Sequence, residues 1–86
     1  MRVYVPTPLR SYTAEQGLVS AGGATVGQLL AELDRRYPGI RFRMIDEQDG
    51  IRPHIKIFVN QEQVRTLEAS VDSQDEIQII CALSGG

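Results

Sequence analysis

The sequence predicts an α+β fold, a mixed sheet of about five strands with one main helix packed on one face. Three observations carry that prediction. A single capped amphipathic helix lies near residues 26–37, apolar runs of period two flank it on both sides, and the chain has 86 residues. That length supports one hydrophobic core and leaves no room for a second, so residues 1–86 are expected to form one domain.

Met1, Val3 and Val5 alternate with Arg2, Tyr4 and Pro6, the pattern of a half-buried first strand. Pro6 and Pro8 stop it, because neither can donate to a ladder. Thr7 to Gln16 reads as a polar connection anchored by Leu9 and Tyr12, and Gly17-Leu18-Val19-Ser20 as a short returning strand ended by Gly22-Gly23. Thr25 with Gln28 three residues on forms a capping-box pattern. Val26, Leu29, Leu30, Leu33 and Tyr37 then share one helical face, with Glu32, Asp34, Arg35 and Arg36 on the wet side. Pro38-Gly39 ends the helix, which therefore runs from about Val26 to Tyr37.

Between Ile40 and Pro53 the pattern is less regular. Phe42, Met44 and Ile45 are expected to cap one end of the core, and Asp49-Gly50 marks a turn. His54 to Asn60 is a strong strand with Ile55, Ile57 and Val59 on one face. A turn at Asn60-Gln61, a short strand from Glu62 to Arg65 and a turn at Ser73-Gln74-Asp75 follow. Ile77, Ile79 and Cys81 form the inward row of the last strand. A helix that follows a two-strand hairpin crosses one face of the sheet, and closing a small core then requires the last strand beside the first. That arrangement is a β-grasp.

The chain ends Cys81-Ala82-Leu83-Ser84-Gly85-Gly86. Glycine has no Cβ, so an extended Gly-Gly end can enter a narrow channel and present an uncrowded acyl carbon. A terminal carboxylate is ionised at neutral pH and is a poor electrophile, so a partner would have to activate it, most simply as an anhydride formed from ATP. The competing reading is a frayed end without a role. Residues 82–86 are expected to be a flexible tail.

Charge and composition limit the alternatives. A net charge of -2 argues against nucleic acid as a partner, which calls for a basic face. No apolar run approaches the length of a membrane span, and the N-terminal residues lack a signal-peptide core. One cysteine permits no internal disulfide, which suits a cytoplasmic location. With a single histidine, His54, and no cysteine cluster, neither a metal nor a bound cofactor is expected.

Taken together, the helix cap, Ile57-Phe58-Val59-Asn60, Asp75-Glu76-Ile77 and Gly85-Gly86 resemble the MoaD/ThiS family of ubiquitin-like sulfur carriers over essentially the whole chain. Pro6-Thr7-Pro8-Leu9-Arg10, Tyr37-Pro38-Gly39-Ile40, and Val59-Asn60 with Glu62 and Val64-Arg65 look closest to the cysteine-biosynthesis branch, the CysO type. Three positions depart from the family pattern: Gln74 precedes Asp75 in place of glycine, Gln61 lacks the common turn glycine, and Ser84 replaces alanine.

The resemblance implies that an E1-like adenylating enzyme activates the Gly86 carboxylate with ATP. A sulfide or persulfide would then convert it to a thiocarboxylate. That group donates sulfur inside a second enzyme, a cysteine synthase type or the large subunit of molybdopterin synthase, with thiamine thiazole synthesis and tRNA thiolation as further acceptors. The chain itself would be a co-substrate and not an enzyme. A ubiquitin-like protein modifier that forms isopeptide bonds through Gly86 is the alternative of a different class, and a plain interaction domain with an inert end is a third. Lys56 is the only lysine, which disfavours chain building.

Candidate site residues follow from these readings. Gly86 carries the chemistry, with Gly85 before it. Phe58, Ile80 and Leu83 fall off the inward rows and form a candidate docking patch with Ser84 and Arg65. Arg10 and Arg52 are further candidates for a polar rim. Cys81 reads as a small apolar filler, with persulfide acceptor as its alternative, and His54 as a surface or packing residue.

Overall fold

In the computed structural model, which describes residues 1–82, proline shapes the first part of the chain. Strand β1, Arg2–Tyr4, ends two residues before Pro6. The expected polar connection is a 3-10 helix, Thr7–Thr13, with Pro8 in its first turn, where a missing N–H leaves no bond unmade. Leu9 anchors it in the core at 3% exposure, and half-buried Tyr12 packs against the same core. Thr13 is buried, and its hydroxyl donates to the Gln16 carbonyl at 2.7 Å. Strand β2, Leu18–Ser20, returns antiparallel with Val19 opposite Val3.

Helix α1 spans Val26–Arg36. The Thr25 hydroxyl oxygen accepts the Gln28 N–H at 3.2 Å, and Gln28 Oε1 accepts the Ala24 N–H at 2.9 Å. The first-turn donors of Val26 and Gly27 bond to the carbonyls of Ala69 and Leu67, each at 2.9 Å, so the segment before the last strand crosses and satisfies the helix start. Val26, Leu29, Leu30 and Leu33 are fully buried. At the far end Asp34 Oδ1 accepts the N–H groups of Gly39 and Arg41, each at 3.1 Å. Gly39 itself has φ 99, a conformation that glycine adopts without a Cβ clash.

A five-residue helix α2, Ile40–Met44, follows. Ile40, Met44 and Ile45 are buried, but Phe42 is 59% exposed, which corrects the expectation that it caps the core. Ile40 and Met44 are four apart and share the inward face, so Phe42, two from each, points away. Its ring lies 4.7 Å from the Arg52 guanidinium carbon, and Arg52 Nε donates to the Phe42 carbonyl at 2.8 Å.

Strands β3 (Ile55–Val59), β4 (Glu62–Val64) and β5 (Glu76–Cys81) complete one sheet of order β2-β1-β5-β3-β4. β5 lies parallel to β1 and antiparallel to β3. The last strand thus sits beside the first, as the β-grasp expectation required. Val19, Val3, Ile77 and Val59 form one inward row, and Ile79, Ile57 and Val64 the next.

Two of the three departures from the family pattern now have a physical account. Gln74 is absent from the positive-φ residues, so no glycine is needed there. The turn is built instead by Asp75, whose Oδ2 accepts the Asp72 N–H at 2.9 Å and whose Oδ1 accepts from Asn60 Nδ2 at 2.7 Å. Asn60 and Gln61 do have positive φ, 50 and 73, as a two-residue hairpin turn of type I′ demands. Asn60 is compensated by its contacts to β5, since its Oδ1 accepts the Glu76 N–H at 2.9 Å. The Gln61 side chain makes no bond of that kind to a described residue and carries the left-handed cost uncompensated. Replacing Gln61 with glycine should therefore raise unfolding free energy by about 0.5–1 kcal/mol. Urea titration checks this, and a loss of stability would contradict the turn assignment.

Candidate functional site

The site is built on the end of β5. The Ala82 N–H donates to the His54 carbonyl at 2.8 Å, so the chain stays tied to the start of β3 up to the last described residue. Leu83, Ser84, Gly85 and Gly86, and with them most of the expected 82–86 tail, lie outside the described residues. β5 is bonded on both sides, by β1 and β3, which makes the root of the chain end a rigid interior strand rather than an edge.

Residues directly opposite on neighbouring strands share a face. Leu18, Tyr4, Gln78, Phe58 and Gln63 therefore form one row across the sheet, on the side away from the buried rows. Ile80 pairs with Lys56 in the next row. Arg65, one residue beyond β4, is exposed and borders the same shallow hollow as Lys56. Ile80 is 36% exposed and Leu18 46%, while Phe58 is half-buried. Phe58, Ile80 and Arg65 are thus brought onto one surface. Tyr4 and Leu18 were not singled out in the sequence, although their alternation with Val3 and Val19 carried the signal.

Beside Ile80 the surface opens into a groove of about 550 Å³ lined by Pro6, Pro8, Arg10, Gln78, Ile80 and Cys81. Its origin is a strand-length mismatch. The Ala82-to-His54 and Asn60-to-Glu76 bonds set the parity of the β3–β5 ladder, so the backbone groups of Ile77, Ile79 and Cys81 face β1. β1 pairs only as far as Tyr4 opposite Gln78, and Pro6 brings no donor. The edge of β5 is consequently uncovered on that side from the Ile79 carbonyl onward.

Arg10 forms one wall of the groove. Its Nε donates to the Val5 carbonyl at 2.9 Å, and its guanidinium lies over Gly17, where a Cβ would come within 2.9 Å of Cζ. It is a tethered wall and not a free rim. Cys81 is a free thiol, half-buried opposite Ile55 and packed against the core, in keeping with a filler. His54 is half-buried and contributes its carbonyl to the root of the chain end. No helix among the described residues is long and apolar enough to cross a membrane.

Known proteins match this chain from end to end. The family model described as the ThiS family matches residues 3–86. The sulfur carrier protein CysO of Mycobacterium tuberculosis is 36% identical over 89 aligned residues, covering 98% of this chain and 96% of that protein. The Amycolatopsis orientalis BexX/CysO complex contains a chain superposable with a TM-score of 0.92 at 36% identity, covering 99% of this chain and 98% of the other. The small archaeal modifier protein 1 of Methanosarcina acetivorans shares the fold, with a TM-score of 0.82 at 24% identity over 99% of this chain and 94% of its own.

The assignment of faces sets neighbours against each other. Ile79→Ala, at a 2% exposed position, should cost about 2–5 kcal/mol, and Ile80→Ala less than about 1.5 kcal/mol. Equal losses in chemical denaturation would mean the sheet faces are misassigned.

Proposed function

The chain belongs to the ThiS family, and on that premise we propose that it is a sulfur carrier whose Gly86 cycles between carboxylate and thiocarboxylate. One observation carries the reading: similarity to a sulfur carrier extends over 98% of the chain, and the family match runs through the terminal Gly-Gly.

In the proposed cycle a carboxylate oxygen of Gly86 attacks the α-phosphorus of ATP on an adenylating enzyme, and pyrophosphate leaves. The resulting acyl-adenylate is attacked at its carbonyl carbon by hydrosulfide. The bond to the AMP oxygen breaks, a proton is released, and the thiocarboxylate remains. This group ionises readily and is a good nucleophile, so it can deliver sulfur in a second enzyme, with return of the carboxylate on hydrolysis. ATP is bound by the activating partner, and the compartment proposed is the cytoplasm.

The chain supplies position rather than acid–base chemistry. Ala82 to Gly86 can span roughly 17 Å when extended, enough to reach an enclosed site while the sheet stays outside. Gly85 and Gly86 keep that end narrow, and Leu83 and Ser84 would line the channel of the partner. Phe58 and Ile80 supply apolar contact area at its mouth, with Arg65 alongside. Similarity to CysO favours a cysteine synthase type as the sulfur acceptor over molybdopterin synthase or thiazole synthesis.

Deleting Gly86 should abolish ATP-dependent thiocarboxylate formation with an activating enzyme and sulfide, while leaving the unfolding midpoint in place. A deletion variant that is still converted would overturn the proposal, and hydroxylamine-resistant adducts of Gly86 on lysines would favour a protein modifier instead. Ile80→Ser should raise KM for the same enzyme by roughly tenfold with kcat little changed, as loss of an interface anchor does.

A further inference from the structure

We propose that the end of the sheet from which the chain terminus emerges is a basic docking face, and that its occupant is an acidic surface on the enzyme that takes the terminus. The inference rests on the carrier reading above and adds the chemistry of the partner.

Some of the cations are already neutralised by ion pairs. The chain has nine lysines and arginines, all within the described residues. Arg2 pairs with Glu76, Arg35 and Arg36 with Glu32, and Arg41 with Asp49. Nine less these four leaves Arg10, Arg43, Arg52, Lys56 and Arg65, which form no ion pair with a described residue. Arg10 lies apart, in the groove beside β1, and the other four are contiguous. Arg43 and Arg52 border one hollow of about 260 Å³ with Phe42 and His54. Arg52 also borders an adjoining hollow of about 220 Å³ with Lys56 and Arg65. Arg52 joins the two into one stripe, and His54, which lines the first hollow, is the residue whose carbonyl holds Ala82.

No acidic group among the described residues forms an ion pair with the stripe. Asp46 Oδ1 accepts the N–H groups of Gly50 and Gln48, each at 2.9 Å. These bonds are the main cause of its lowered pKa, with Arg52 a minor contributor. Arg65 has only a long contact of 3.4 Å to Gln63 Oε1. Asp72, Asp75 and Glu76 lie at the opposite end of β5, where Asp75 builds the turn. The four cations of the stripe thus gather at the end of the sheet where the described chain ends, away from Asp72, Asp75 and Glu76.

Such a separation orients a small protein as it approaches a partner. An acidic rim would draw in the basic end first, with the terminus aligned to the channel, and raise the association rate. The stripe also continues into Ile80 through its neighbour Lys56, so charge and apolar contact lie on one continuous surface, as in protein interfaces.

The test uses the full chain as the varied substrate in ATP–pyrophosphate exchange with its activating enzyme. Arg43→Gln/Lys56→Gln removes two charges from the stripe, and Arg35→Gln/Arg36→Gln removes two from the far side of α1. The first should raise KM about fivefold with kcat within a factor of two, and added salt should shrink the difference from wild type. The second should match wild type. Equal KM values for both double variants would overturn the docking face while exchange itself sustains the carrier reading. Wild type that supports no exchange would overturn both. Unchanged unfolding midpoints exclude misfolding as the cause.

Discussion

Strand β5 must do two things that pull against each other, and the rest of the structure follows from how both are met. It has to be an interior strand, because only bonds on both sides hold the root of the terminus still. It also has to leave one side of its outgoing end uncovered. Parallel pairing with β1 and antiparallel pairing with β3 satisfy the first demand, and the early end of β1 at Tyr4 satisfies the second. Ile77 and Ile79 then anchor the strand in the core under α1, while Gln78 and Ile80 face outward. The helix start is fixed in turn by the carbonyls of Leu67 and Ala69, which ties the approach to β5 onto α1.

Local patterns were legible in the sequence and geometric choices were not. The cap at Thr25, the apolar face of α1 and the alternation in β3 and β5 are short-range signals, and each survives intact. The position of β5 beside β1 was legible because a small core admits few closures. The 3-10 helix at Thr7–Thr13 was missed because Pro6 and Pro8 read as strand breakers, and the same prolines suit a first helical turn. Phe42 was misplaced because a helix as short as Ile40–Met44 shows too little periodicity to reveal its face. Gln61 shows that a left-handed turn position can be filled without glycine when the neighbouring Asn60 is braced against β5.

The candidate site was legible in outline for a similar reason. Phe58 and Ile80 fall off the inward rows, and period two alone places them on the outer surface. Sequence could not reveal which arginines are already paired, since Arg41 and Arg43 differ only in whether Asp49 lies within reach. Nor could it show that Arg10 is tethered to Val5 in the groove beside β1, which places it apart from the other cations. Side-chain pairing belongs to tertiary structure, and the charge polarity of the sheet emerges only there.

The central claim is that Gly86 carries sulfur. Intact mass spectrometry of the chain isolated from its native cells, before and after a thiocarboxylate-selective azide, tests it most directly. The account predicts a species heavier by the difference between sulfur and oxygen that disappears on treatment. Carboxylate alone, persisting after incubation with ATP, sulfide and the activating enzyme, would contradict it.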